Sequence, residues 1–278
     1  MRYGMSVPCF GEDPRMFGRL ALEIEAAGWD GFFVWDHIRW RTHWPGGVLD
    51  PWILLCVAAT TTSRIKLGTL VTPPARRRVA KLAKETVTLD RLSDGRLVLG
   101  VGLGWPPDVD FGWLGDEEDN RVRAAIFEET MEALVGLWST EPFSYHGDHI
   151  RIEEVQLRPG PLQQPRPPVW VGAKWPNRRP FVRAAQWDGI VPVMDTTKHD
   201  RALSPNDVRD LLELIGEQRG SLDGYEVVLG GRSEVGTEGA GRIAAFAEAG
   251  VTWWIEAIQP EGDWFADAAT RARAGPSR

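Results

Sequence analysis

Apolar residues in this chain fall into short runs, separated by longer stretches where they recur at helical spacing. Runs at 2–7, 31–35, 65–71, 97–101, 169–171, 189–193, 225–230 and 252–258 are mostly continuous rather than alternating. That is the pattern of parallel strands buried on both faces. Between them, apolar positions recur every third or fourth residue: Phe17, Leu20, Ala21 and Ile24, then Phe127, Met131, Leu134 and Trp138. Val208, Leu211, Leu212 and Ile215 form a third such face, and Ile243, Ala244 and Ala247 a fourth. Asp13-Pro14 and Ser204-Pro205 each offer a cap followed by a first-turn proline, and Gly28, Gly220 and Gly250 follow the last apolar positions. Eight strands alternating with about eight helices, without a linker-like break, predict an α/β protein. The expected form is one closed (β/α)8 barrel domain over 1–278.

The alternation is interrupted between the fourth and fifth strands, at about residues 139–168. His146-Gly147-Asp148 predicts a small hairpin there, and a proline-rich stretch follows over 159–168. This is expected to be an insertion into the barrel rather than a second domain. A length of 278 residues suits such a barrel, which typically needs about 250.

Composition narrows the function. A net charge of −7 argues against a general nucleic-acid or acidic-membrane binder. The longest apolar stretch, 97–105, is too short to span a bilayer, and the N-terminus carries no secretory signal pattern. Two cysteines, Cys9 and Cys56, are too few for a disulfide framework. The expectation is a reduced, cytoplasmic protein whose partner is a small molecule, with a homodimer left open. Fourteen tryptophans either fill a large core or line a pocket for a flat ligand.

In a barrel of this kind, residues just past each strand's C-terminal end carry the chemistry. The sharpest case follows the second strand, where Phe32-Phe33-Val34-Trp35 runs directly into Asp36-His37. A histidine beside a carboxylate there can exchange a proton near neutral pH; otherwise Asp36 caps a loop and His37 fills space. The fourth strand continues as Gly100-Val101-Gly102-Leu103-Gly104-Trp105. Glycine at every second position leaves one face bare, either for a planar ligand or for tight packing. The spacing is not that of a dinucleotide-binding loop.

Two helix starts are cationic. Arg76, Arg77 and Arg78 follow the third strand, and Lys174, Arg178 and Arg179 follow the fifth. Cations at a helix N-terminus oppose its dipole, so an anionic ligand such as a phosphate, or a set of Asp and Glu partners, is expected beside them. Metal chemistry has little support. His43 and His199 stand alone, His146 and His149 fall in the hairpin region, and neither an H-E-x-x-H nor a G-x-S-x-G motif is present. No metal is expected.

The segments GFFVWDH, RIKLGTLVTPP, DRLSDGRLVLGVGLGW and PPVWVGAKWPN, in that order, resemble the bacterial luciferase-like oxidoreductases over nearly the whole chain. That resemblance implies a TIM barrel using FMN or the deazaflavin coenzyme F420. The Asp-His pair is more similar to the deazaflavin branch. It implies His37 as the catalytic residue and Asp36 as a contact of the cofactor ring. It also implies a non-prolyl cis peptide at Leu70–Val71 behind the ring, with Thr72, Leu103 and Gly104 touching the cofactor. Gly172, Ala173, Lys174 and Trp175 would lie along its ribityl and phosphate part. The charge pattern, not the resemblance, adds Arg77, Arg78 and Arg178 as phosphate contacts, unless they pair with Asp and Glu or are simply solvated. Trp40 and Trp105 are the expected substrate contacts, with Trp44 and Trp113 as further candidates for an aromatic wall. One departure stands out: where the sugar-phosphate dehydrogenases of this branch carry a glutamate base after the fourth-strand glycines, this chain has Trp105. The expected activity is hydride transfer between coenzyme F420 and an unidentified organic molecule. The alternatives are an FMN-dependent monooxygenase using molecular oxygen and a barrel that binds flavin without turnover.

Overall fold

Each of the eight apolar runs is a strand in the computed structural model, which describes residues 1–41, 46–233 and 237–277. The elements alternate as β1 (Arg2–Val7), α1 (Arg15–Ala26), β2 (Gly31–Val34), α2 (Pro51–Thr61), β3 (Lys66–Thr69), α3 (Val79–Leu92), β4 (Leu97–Val101) and α4 (Asn120–Trp138). After a hairpin of β5 (Phe143–His146) and β6 (Arg151–Val155) come β7 (Val169–Trp175), α5 (Arg178–Ala184), β8 (Gly189–Met194) and α6 (Pro205–Arg219). The chain closes with β9 (Glu226–Gly231), α7 (Thr237–Glu248), β10 (Trp253–Ala257) and α8 (Trp264–Ala274). Strand order around the closed barrel is β1-β10-β9-β8-β7-β4-β3-β2, with all neighbours parallel. The hairpin is antiparallel and outside the barrel.

Two local expectations needed correcting. The fifth barrel strand is not confined to 169–171. It continues through Trp175, because Gly172, Ala173, Lys174 and Trp175 all pair with β8 although they are not a continuous apolar run. At α1, Pro14 rather than Asp13 occupies the cap position, and the Asp13 carboxylate accepts from the Arg15 N–H. The α6 start matches its sequence: Ser204 and Asp207 form a reciprocal capping box ahead of a helix that ends at left-handed Gly220.

Aromatic bulk accounts for the barrel's solid interior. Phe33, Trp170 and Trp253 meet inside it with ring centroids 5.3–5.9 Å apart, together with Val98, Val228 and Ile255. Small residues face this plug. A Cβ on Gly31 would approach the Phe33 ring to 2.7 Å, and one on Gly189 would approach Trp170 equally closely. The larger apolar cluster lies between barrel and helices, and there Trp29, Trp52, Trp138 and Trp254 are buried. Among the described residues no helix is long and apolar enough to cross a membrane.

Candidate functional site

The barrel's C-terminal rim collects charge from three loops that are far apart in sequence. β2 ends in an apolar run whose side chains complete the core, so the chain leaves the barrel at Trp35 and delivers Asp36 and His37 to the rim. Asp36 is buried. Its Oδ2 accepts from the Thr72 hydroxyl at 2.6 Å and from Arg77 at 2.7 Å, and its Oδ1 accepts from Arg76 at 3.0 Å. This clamps the end of β2 to the segment after β3.

Asp110, from the loop after β4, is the second buried carboxylate. Its Oδ2 stands 3.0 Å from His37 Nδ1 and 2.8 Å from Arg76 Nη1, while its Oδ1 accepts the N–H groups of Ile38 and Arg39, each at 2.8 Å. Burial pushes the Asp110 carboxyl upward, but the His37 hydrogen bond, the Arg76 charge and the Arg39 N–H together hold it below the usual carboxylate range. A charged carboxylate only accepts, so Nδ1 of His37 carries hydrogen and Nε2 is the free ring position; no described residue bonds to it. Arg76 thus bridges Asp36 and Asp110. Arg123 supports the same loop. It is fully buried, lies over the Phe111 ring, donates to the Leu103 carbonyl at 2.7 Å, and has its pKa lowered by burial and then by the Arg76 charge.

His37 and Asp36 form part of the wall of a cavity of about 710 Å3, within the roughly 300–1,000 Å3 of small-molecule sites. The cavity opens at the C-terminal ends of β2, β3, β4, β7 and β8. Of the residues singled out in the sequence, Asp36, His37, Trp40, Leu70, Val71, Leu103, Gly104, Trp105, Gly172, Ala173 and Lys174 line it. The Leu70–Val71 peptide is cis, as the resemblance implies. On the β8 side Asp195 joins the lining. Hydrogen bonds from Thr197 and Asn177 hold its carboxyl down at about 2. The Lys174 ammonium acts on Asp195 through its charge but makes no hydrogen bond or ion pair to a described residue.

Five expected contacts are elsewhere. Thr72 is fully buried against Asp36, and the half-buried Trp175 donates to Asp207 at 3.1 Å. Arg77 pairs with Asp36 and Glu85 and faces a neighbouring cavity of about 300 Å3. Arg78 is exposed, and Arg178, with its side chain 72% exposed, reaches only Glu217 at 3.8 Å. None of these five lines the large cavity. The glycine alternation after β4 is likewise mainly a packing device. A Cβ on Gly100 would lie 1.9 Å from the Thr69 carbonyl oxygen, and one on Gly102 would lie 2.6 Å from Val71, though Gly102 and Gly104 do line the cavity. Trp113 is exposed outside it, and His43 and Trp44 fall outside the described residues.

Sequence reasoning missed Asp110, Asn177, Asp195 and Thr197; Arg76 was singled out only as one of three cations, and its pairing with Asp36 and Asp110 meets the expectation of carboxylate partners. The location rule that found His37 also covers Asp110, which follows the fourth strand, but Trp105-Pro106-Pro107 separates it from the glycine run that drew attention.

The family model described as luciferase-like monooxygenase matches residues 1–232. The chain belongs to that family. Among curated family relatives it is 30% identical over 216 residues to the F420-dependent glucose-6-phosphate dehydrogenase of Kineococcus radiotolerans, covering 76% of this chain and 62% of that protein. It is 35% identical over 112 residues to the FMNH2-dependent dimethylsulfone monooxygenase of Pseudomonas putida, covering 39% of this chain and 30% of that one. The matches span between 30% and 62% of the length of these and other curated relatives. A solved structure of an F420-dependent secondary alcohol dehydrogenase in complex with an F420–acetone adduct superposes with a TM-score of 0.79 at 16% identity, covering 98% of this chain and 97% of that one. That likeness establishes the shared barrel.

Proposed function

We propose that this protein is an oxidoreductase that transfers hydride between coenzyme F420 and a small organic substrate, with His37 handling the proton. The observation that carries this is the His37–Asp110 pair. A buried carboxylate fixes Nδ1 and leaves Nε2 for a ligand, in the wall of a cavity large enough for a cofactor. The residues present fit such a group: Leu70, Val71, Gly172 and Ala173 offer an apolar floor for a flat ring system, and Lys174 offers a cation for a phosphate-bearing chain. When bound, the deazaflavin ring supplies the hydride chemistry.

The protein's own part is positioning and proton handling. With Nδ1–H donated to Asp110, Nε2 of neutral His37 accepts a proton from a substrate hydroxyl, and the imidazolium returns one to a carbonyl in the opposite direction. Asp110 remains charged throughout and holds the ring in the tautomer that presents Nε2. The Kineococcus relative, matched over most of this chain, supports the deazaflavin. A second reading, an FMN-dependent monooxygenase using molecular oxygen, draws support from the shorter match at higher identity to the Pseudomonas enzyme.

The deciding experiment titrates the protein with F420 and with FMN, following quenching of the fluorescence that Trp35, Trp40 and Trp105 contribute at the cavity. Oxygen uptake is then measured with reduced FMN. Binding of F420 without oxygen uptake is expected. Binding of FMN alone, with oxygen uptake, would replace the first reading by the second, and quenching by neither would overturn both.

A further inference from the structure

Resting on that reading, we propose that the part of the cavity beside His37 accepts an uncharged, largely apolar substrate with a ring face and one oxygen function, and rejects phosphorylated and carboxylated substrates. The wall there is aromatic. The Trp40 ring meets His37 at 4.8 Å and 67°, Trp35 meets it at 6.1 Å, and Trp105 meets Trp40 at 6.0 Å and 70°. Leu103 and Pro107 also line the cavity. Trp105 is 51% exposed, so part of its ring remains open for a ligand to stack on, and a flat apolar face matches such edge-to-face walls.

Charge excludes the alternative. Besides His37, the cations lining this cavity among the described residues are Lys174 and Arg183. Lys174 is on β7, which stands three strands around the barrel from β2, and Arg183 is held by Glu128 at 2.6 Å. The nearer guanidiniums are occupied: Arg76 and Arg77 bind Asp36 and Asp110 and face the neighbouring cavity, and Arg41 lies over Trp40 without lining this one. The nearby carboxylates are neutralised by the same arginines, and Asp110 has no exposed surface, so a cationic substrate also lacks a counter-charge. A phosphate ester placed beside His37 would be a dianion removed from water with no free guanidinium or ammonium to pair with it, and that penalty is the basis of the discrimination. His37 Nε2 can serve one hydroxyl or carbonyl oxygen, which sets the single polar function.

The test uses the cofactor-loaded protein and a matched set: cyclohexanol, cyclohexyl phosphate and cyclohexanecarboxylate, with binding followed by titration calorimetry. Cyclohexanol is expected to bind at least about tenfold more tightly than either anion, the scale of one unpaired buried group. Trp105→Ala, at an exposed position that leaves the fold intact, is expected to weaken cyclohexanol by several-fold while leaving the cofactor dissociation constant, read from the remaining quenching, unchanged. Trp105→Arg is expected to admit cyclohexyl phosphate. Equal or tighter binding of the anions, or a Trp105→Ala protein with unchanged cyclohexanol affinity, would overturn the proposal while leaving the cofactor reading intact. Failure of both cofactors to bind would remove that reading, and this inference with it.

Discussion

Segments 76–78 and 174–179 have nearly the same charge pattern, and both precede a helix on the same rim of the barrel, yet they serve opposite ends of the site. In the first, Arg76 and Arg77 turn inward to two carboxylates delivered by other loops, Asp36 and Asp110, and Arg77 also reaches Glu85. The conflict between cation and helix dipole is removed internally, and the product is a rigid mount for His37. In the second, the Lys174 ammonium faces the cavity without a partner among the described residues, while Arg178 is exposed. In the first segment the pattern of cations answers to carboxylates within the protein; in the second, the anionic partner we propose is the ligand. Which anion it is, protein carboxylate or ligand, depends on what the rest of the chain brings to the rim.

Removing His37 tests the mount at its output. His37→Ala is expected to slow turnover by about 10²–10⁴-fold at saturating cofactor, the usual weight of a positioned proton-transfer group. Stability should change little, because Asp110 retains Arg76 and the N–H groups of Ile38 and Arg39. A variant that turned over at the wild-type rate, assayed with any acceptor found by screening, would show that the arginine side serves the fold alone.

The mount itself is the next target. Arg76→Met leaves two buried carboxylates short of a partner and is expected to cost about 3–5 kcal/mol in denaturant unfolding. Its pH dependence carries a sign. Asp110 has its folded pKa held below the ordinary aspartate value of about 3.9, so its contribution is fully present above that pH and is lost as pH falls below it. The wild type should therefore lose stability below about pH 4. Asp110→Asn should lose less over the same interval, being weaker at the outset. Parallel acid limbs in the two proteins would mean that Asp110 carries no net stabilising charge.

Lys174 sharpens the other half of the contrast. Lys174→Gln is expected to weaken cofactor binding about tenfold at low salt and to flatten its salt dependence, since one cation facing the cavity is lost. Unfolding midpoints should not move, because the ammonium bonds to no described residue. A fluorescence titration at two ionic strengths measures both changes, and an unaltered affinity would place the anionic end of the ligand elsewhere.

The barrel was legible because burial on both faces leaves a continuous apolar signature, and every strand carries enough of it to be seen. β7 was read short because its last four residues, Gly172 to Trp175, join β8 through backbone pairing at the rim, where burial no longer dictates side-chain type. His37 was legible because hydrocarbon gives way to titratable groups within two residues. Asp110 was not, since its meaning lies in a contact with a residue 73 positions away that no local pattern encodes. Gly100 illustrates the converse: a visible pattern, which left room for a ligand and tight packing both open, answers at this position to the Thr69 carbonyl.

The smallest effect is expected where the two segments become alike again, at their solvent-facing arginines. Arg78 is exposed and makes no side-chain capping bond at the start of α3, and the Arg178 contact to Glu217 is long and open to water. Exposed pairs of that kind contribute about 0–1 kcal/mol, and surface substitutions away from special features usually stay within about 0.5 kcal/mol. An Arg78→Gln, Arg178→Gln double variant should therefore unfold at the wild-type denaturant midpoint and bind cofactor within about twofold of it, a difference of roughly 0.4 kcal/mol. The two positions stand at the starts of different helices and share no partner among the described residues, so their effects should add. If the double variant instead lost cofactor affinity by tenfold in low salt, the phosphate-bearing chain would have to run outside the large cavity toward one of these helix starts. The single variants would then tell which.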